Sequence, residues 1–230
     1  MQTLSIILQL HTPEELVLYS NIGHWMEGGL FLIVAGIAFI QALGYWRSQK
    51  ALYLWPIIIL VSGLSLPFFA FAHHINGELA LAWKATISDP QQRQHMIMAI
   101  LVALAGIAEV AYLRSQAKHL VLRFMFPIAL GIIGVMFIIH PQHGTSEAVL
   151  KAVIIHKYLG TVLIVSAVFR AVDVITKQTR KWITFVWVLF LVAAAVLLIS
   201  YREPQGAYQI ETHNMSQMQY GSEHSNKLDN

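Results

Sequence analysis

Long apolar runs recur along the chain, and they restrict its fold more than any other feature of the sequence. Each run is about twenty residues long, which lets a helix cross the roughly 30 Å of hydrocarbon in a bilayer. Hydrophobic residues make up 57% of the 230 residues, and charged residues make up 12%. A soluble domain carries about 25% charged residues. The sequence therefore predicts an all-α, multi-pass membrane protein.

Six spans account for the apolar runs. We place them at residues 21–45, 52–75, 90–113, 122–140, 146–175 and 182–201. Helix-capping patterns at Thr12–Glu15 and Asp89–Gln92 predict two of the helix starts. The membrane domain then covers residues 1–202. Residues 203–230 are rich in Gln, Ser, Asn and Glu, a composition that predicts a solvated, flexible tail.

The basic residues between spans predict the orientation of the bundle. Eight of them flank or fall in the turns after the first, third and fifth spans: Arg47, Lys50, Arg114, Lys118, Arg123, Lys177, Arg180 and Lys181. The positive-inside rule makes these turns cytoplasmic, so both termini face outward. In a bacterium the outer side of the inner membrane is the periplasm. Because topology explains the basic residues, the lipid bilayer is the expected partner and nucleic acid is not.

Histidines gather at the predicted outer level of the bundle: His24, His73, His74, His95, His140, His143 and His156. Imidazole is costly in hydrocarbon and normally faces a bundle interior, where it pairs or binds a ligand. The chain has no cysteine, so only nitrogen, carboxylate and thioether ligands are available. The sequence predicts a metal or haem centre here. Glu27, one turn from His24, is a further candidate ligand, and Glu147 is an acidic neighbour.

Each histidine also has a structural interpretation. His73, His74 and His143 border a loop, where interfacial histidines often bind nothing. The same applies to His140, which precedes a proline and could close a helix end. Those within spans are harder to explain without a ligand, because polar side chains are rare there.

Charged residues at the opposite level predict a second polar feature. Glu109 and Arg170 each lie fourteen residues after a span histidine, which is about 21 Å farther along a helix. We expect a buried ion pair, with Asp173 one turn from Arg170 as a second carboxylate. The alternative is that these charged residues form part of a proton or ion path.

The polar tail contains imidazole and thioether groups without any thiol, at His213, Met215 and Met218. This combination suits Cu(I) better than zinc or magnesium, so the tail is a candidate for metal capture. The alternative is a disordered tail that binds no ligand.

Three functions remain open on these residues. The first is a non-haem metal centre, with copper favoured over iron or zinc, for metal handling or redox chemistry. The second is a cytochrome with one haem b between His73 or His74 and His140 or His156, exchanging electrons with quinone. The third is a cation transporter. Whether the protein is an enzyme stays open; if it is, it is a metal- or haem-dependent membrane oxidoreductase.

The chain resembles the small polytopic copper-resistance membrane proteins of bacteria, of the CopD type, and more loosely the b561 group of cytochromes. The resemblance rests on His24–Glu27, the His73–His74 pair, His140–His143 and the Met/His tail. It implies copper handling at the periplasmic face, in exchange with a periplasmic metal donor or acceptor. The inner halves of the spans contain no histidine, which departs from a two-haem pattern.

Overall fold

The computed structural model describes residues 12–46, 48–72, 79–115, 119–177 and 179–209. Within these ranges the chain forms seven α-helices: α1 Pro13–Leu43, α2 Leu54–Ala72, α3 Leu79–Ser88, α4 Pro90–Arg114, α5 Leu120–Ile138, α6 Ser146–Ile175 and α7 Lys181–Ser200. A 3-10 turn, Ala51–Tyr53, leads into α2. The described ranges contain no β-strand, only one isolated bridge between Gly144 and Ala207. The all-α prediction is confirmed.

Five of these helices are long and apolar enough to cross a membrane: α1, α4, α5 from Val121, α6 and α7. The apolar run Ala51–Pro67 is shorter. Apolar side chains on the outside of α4 are about half exposed at Ile100, Leu104 and Ile107, as contact with lipid requires. These features agree with the prediction of a multi-pass membrane protein.

The capping patterns mark the helix starts that the sequence predicts. Thr12 and Glu15 form a reciprocal capping box at the start of α1, and the Asp89 side chain accepts a hydrogen bond from the Gln92 amide at the start of α4. α1 then runs without interruption from Pro13 through the region predicted as the first span.

Six helices form a closed ring in which the neighbours are, in order, α1, α2, α4, α5, α6 and α7, and α7 packs back on α1. Close packing of α5 on α6 depends on small residues. A Cβ added to Gly160 would lie 2.4 Å from the carbonyl oxygen of Gly134. Small residues at a membrane helix interface let the two backbones approach, which substitutes for the weak hydrophobic drive in lipid.

The middle of the ring is apolar. A small cavity there is lined by side chains from five helices, among them Val34, Ile59, Val102, Phe126, Leu130 and Leu191. These residues lie within their helices, between the histidines at one end of the bundle and the charged residues at the other. The bundle therefore has two polar levels separated by an apolar layer.

Residues 201–209, which we call the strap, fold back over the histidine end of the bundle. Tyr201, Ala207 and Tyr208 are almost fully buried, and the Thr145 amide donates to the Gly206 carbonyl at 3.1 Å. In the described part of the predicted tail, Ala207 and Tyr208 are thus buried, whereas Gln205 and Gln209 remain exposed. Its polar groups find partners on α1 and α4 that lie far away in sequence. Residues 210–230 lie outside the described ranges.

Candidate metal centre

Four imidazoles from four segments meet at the strap end of the bundle, and we call them the histidine cluster: His24 on α1, His95 on α4, His140 just after α5 and His156 on α6. Neighbouring ring centroids are 4.7 Å apart for His95 and His140, 4.9 Å for His140 and His156, 5.9 Å for His24 and His156, and 6.3 Å for His24 and His95. The rings thus form a closed cycle. All are buried except His95, which is half-buried.

Three of the rings are held by their own helices. Each donates its Nδ1–H to the carbonyl oxygen four residues earlier: His24 to Ser20 at 2.7 Å, His95 to Gln91 at 2.9 Å, and His156 to Ala152 at 2.7 Å. A carbonyl oxygen can only accept, so the proton must be on Nδ1 and the Nε2 lone pair stays free. The Gln142 amide lies 3.2 Å from His156 Nδ1, and the shorter carbonyl contact decides where that proton is.

The fourth ring, His140, is held by a different helix. Its Nδ1 pairs with Oε1 of Gln94 on α4, and Gln94 Nε2 donates to the Met136 carbonyl at 2.8 Å. The Nε2 atoms of His140 and His156 are buried and have no hydrogen-bond partner. Burial, followed by the nearby His95 and His156 rings, lowers the pKa of His140 well below its usual range. His140 is therefore a neutral ring with an open lone pair.

The strap covers the cluster with aromatic rings and one buried carboxyl group. Tyr201 stacks on His24 at 4.2 Å between centroids and lies 5.4 Å from His156. Its hydroxyl donates to Glu203 at 3.0 Å, and Ser20 donates to the other carboxyl oxygen at 2.6 Å. Burial raises the pKa of Glu203, and burial together with the Glu203 charge raises that of Tyr201. The strap excludes water from one side of the rings.

Three predicted ligands lie elsewhere. The Glu27 carboxylate accepts hydrogen bonds from Ser62 and Ser65 of α2. His143 lies at the rim with its Nε2 2.5 Å from the Asp89 carboxylate.

Glu147 is exposed and pairs with Lys151 at 2.6 Å. A side chain at the depth of the histidine cluster therefore does not always join it. Glu27, His143 and Glu147 instead form hydrogen bonds or ion pairs with other residues.

Five further predicted ligands cannot be placed. They lie outside the described residues: His73, His74, His213, Met215 and Met218. Their roles stay predictions.

At the other polar level the predicted charges are in contact. Arg170 donates to Glu109 at 3.1 Å and to Asp173 at 3.0 Å, and all three side chains are at most 2% exposed. Asp173 also accepts from Thr184 at 2.8 Å and from the Trp187 ring N–H at 3.1 Å. We call these five residues the inner ion network. The α7 residues were missed because their helix is otherwise apolar, although Thr184 and Trp187 lie almost one turn apart on it.

The histidine cluster has the chemistry of a metal centre but not yet its geometry. Two imidazoles on one ion, at a metal–nitrogen distance of about 2.1 Å, have centroids roughly 5 Å apart. The two separations that involve His140 match this value, and the two that involve His24 are longer. Among the described residues, no three His, Asp or Glu side chains are arranged to hold an ion as they stand. Binding of an ion therefore requires the rings to shift, His24 among them.

No protein-family model and no curated protein matches the chain. The functional conclusion therefore rests on the chemistry of the histidine cluster.

Proposed function

We propose that this chain is a multi-pass membrane protein that binds one copper ion with the four imidazoles of the histidine cluster. One observation carries the proposal: each buried ring has its Nδ1 anchored to an oxygen, which leaves Nε2 without a proton. Metal-binding histidines are normally oriented in this way by a hydrogen bond from the second ring nitrogen.

The donor set favours copper. The cluster offers only neutral nitrogens, whereas magnesium and calcium prefer oxygen ligands. Among divalent first-row metals, nitrogen sites bind Cu²⁺ most tightly, with Zn²⁺ and Fe²⁺ as weaker competitors. When bound, copper would supply one-electron redox chemistry or a transferable ion.

The position of the cluster supports six crossings with the copper site facing outward. His24 and His95 lie near the N-terminal ends of α1 and α4 and are at the same level. If α1 and α4 both cross the bilayer, the chain returns between them, and α2 is the helix that we propose for this crossing. Basic side chains at the opposite end, such as Lys50, Arg114 and Arg180, would then be cytoplasmic. In a bacterial inner membrane the cluster would then lie at the periplasmic face, and this is the orientation we propose.

The apolar middle layer supports metal handling or redox chemistry over conduction. A cation that crossed the bundle would need polar groups between the two polar levels. The cavity at that depth is lined by apolar side chains, including Val102, Ala105 and Leu130. A layer of apolar side chains therefore separates the inner ion network from the histidine cluster.

The packing also favours an ion over haem. A haem between two axial rings needs a slot as wide as a porphyrin. Here His140 lies 4.7 Å from His95 and 4.9 Å from His156 between centroids. Phe137 stacks on the far ring, His156, at 5.5 Å. Among the four rings of the histidine cluster, no two face each other across such a slot.

The decisive experiment is copper loading of the full chain purified in mild detergent. We expect one copper per chain by elemental analysis, no haem Soret band, and nitrogen hyperfine coupling from imidazoles in the Cu(II) electron paramagnetic resonance spectrum. Replacing His140 by Ala should abolish this signal, whereas the rim substitution His143→Ala should retain it. A chain that carries haem, or one that binds no copper, would contradict the proposal.

A further inference from the structure

His140 is the one ring of the cluster that does not bond directly to the carbonyl four residues before it. That carbonyl belongs to Met136, near the end of α5, and it accepts instead from Gln94 Nε2 at 2.8 Å. Gln94 Oε1 in turn faces His140 Nδ1. The Gln94 amide is therefore inserted between the ring and the carbonyl to which a ring on a regular helix would bond.

The hydrogen bonds from Met136 through Gln94 to His140 determine which atom carries each hydrogen. The Met136 carbonyl can only accept, so the Gln94 atom that faces it must be the NH₂ group. The amide oxygen is then the atom that faces His140, and Nδ1 must carry the hydrogen. The remaining ring nitrogen, Nε2, is buried without a partner. A carbonyl on α5 thus determines, through a side chain of α4, which nitrogen of His140 is free.

From this contact we infer that Gln94 is a positioning residue of the histidine cluster, and that it supplies the fourth copper ligand by holding His140 in its Nδ1–H form. The inference rests on the proposed function. Gln94 touches no reacting atom and acts only through His140. It also connects the end of α5 to α4, so that two of the four rings, His95 and His140, keep their separation.

Two substitutions separate positioning from simple packing. Gln94→Met keeps a side chain of similar length but loses both hydrogen bonds, so the His140 ring can turn and change its tautomer. Gln94→Glu keeps an oxygen that accepts from His140 Nδ1–H, and it replaces the NH₂ donor to Met136 by a second carboxyl oxygen. The first variant should lose the fourth ligand, and the second should retain it.

A glutamine at the other end of the bundle provides the matched control. Gln41 of α1 also donates its amide hydrogen to a backbone carbonyl, that of Ala51, at 2.8 Å. Gln41→Met therefore removes the same kind of hydrogen bond at the same distance, far from the cluster. It should leave copper binding unchanged.

The test uses the full chain in detergent and Cu(II) as the probe. Gln94→Met should lower copper affinity about 10- to 100-fold and reduce the number of coupled nitrogens from four to three, and Gln94→Glu should restore four. Nitrogen-15 NMR of the metal-free protein should show His140 protonated on Nδ1 in the wild type and a mixture of tautomers in Gln94→Met.

Two outcomes would overturn the inference in distinguishable ways. If the wild type binds copper and Gln94→Met keeps four nitrogens, the affinity and the His140 tautomer, Gln94 is only a packing residue and the proposed function stands. If the wild type binds no copper, the proposed function fails and the inference fails with it.

Discussion

The two polar levels of this bundle bury similar numbers of polar side chains but balance them differently. In the inner ion network the charges compensate one another: Arg170 contacts Glu109 and Asp173, and half-buried Arg123 adds a second positive charge nearby. In the histidine cluster no ring is bonded to another, and the Nε2 atoms of His140 and His156 have no partner. In the inner ion network Arg170, Glu109 and Asp173 each contact a group of opposite charge, although Nε of Arg170 is also buried without a hydrogen-bond partner. In the histidine cluster, by contrast, no group of the described residues accepts the lone pairs of the two unpartnered Nε2 atoms.

This difference separates a structural site from a binding site. Burying a charge is costly unless it is paired, so a charge-balanced network preserves the fold once it is present. A buried nitrogen without a partner also costs free energy. A bound cation would remove that cost at the histidine cluster, and it would have no such effect at the inner ion network. The comparison therefore predicts that substitutions at one level affect folding and those at the other affect copper binding.

The largest effect should follow substitution of Arg170. Arg170→Met leaves Glu109 and Asp173 buried without their positive partner, which should lower the free energy of unfolding by about 3–5 kcal/mol. Denaturation in detergent, followed by circular dichroism, measures this loss. The fraction that still folds should bind copper with the affinity of the wild type.

An exposed arginine gives the control for that substitution. Arg114 at the end of α4 is exposed, so Arg114→Met should change the free energy of unfolding by less than about 0.5 kcal/mol. An Arg170 variant as stable as the Arg114 variant would show that the inner ion network is not what holds this end together.

The histidine cluster should show the opposite pattern. His156→Leu replaces a ring of similar size and removes a ligand, so copper affinity should fall about 100-fold, or about 2.7 kcal/mol of binding free energy. The metal-free protein should lose much less stability than Arg170→Met does, because the substitution also removes a buried Nε2 that had no partner. Competition with a copper chelator and denaturation without metal measure the two quantities.

His119 offers a matched histidine at the opposite end of the bundle. Its side chain is exposed and makes no capping hydrogen bond to α5, so His119→Leu should leave copper affinity unchanged. Equal losses of affinity in the two variants would mean that copper binds non-specifically to surface histidines.

The sequence was sufficient to predict which residues share a depth. A rise of about 1.5 Å per residue placed His24, His95, His140 and His156 near one level, and their rings lie in one cluster. Charged residues are so rare within spans that Glu109 could be matched with Arg170. The depth of a residue in the membrane does not show towards which neighbouring helix its side chain points, however. Glu27 shares the level and contacts the serines of α2 instead.

The strap and Gln94 could not have been predicted in this way. An uncharged amide within a span carries little signal, and the role of Gln94 depends on the end of α5, more than forty residues away in sequence. The strap is polar in composition, and its burial depends on partners such as Ser20 and Asn21 on α1. Neither hydrophobic periodicity nor composition predicts contacts between residues so far apart in sequence.

A smaller effect, on the strap, should depend on pH. Burial raises the pKa of Glu203 above its unfolded value, so the packed strap holds the carboxyl proton more tightly than the released strap does. Packing is therefore strongest below the ordinary carboxyl pKa and weakens as pH rises through the raised value. The change should be about tenfold for each pH unit between the two pKa values. Hydrogen exchange of the Ala207 and Tyr208 amides, corrected for the intrinsic rate, measures it.

Glu203→Gln provides the control, because an amide has the same shape and does not titrate. Exchange at the two strap amides should then be independent of pH over the same range. An unchanged pH profile in the variant would assign the effect to another group that faces Glu203, such as His95 or Tyr208.

The smallest effect should come from the charged pair at the rim, which tests how far the outer level extends. Glu147 is 76% exposed at its side chain and pairs with Lys151 one turn later, where water and salt screen the interaction. Glu147→Gln should therefore leave both the melting temperature and the copper affinity unchanged, whereas His156→Leu lowers the affinity. Measuring the two variants side by side at low and high salt makes the contrast sharp. A loss of copper affinity in Glu147→Gln would mean that this carboxylate contributes to the centre, and that the outer level also depends on a compensating charge.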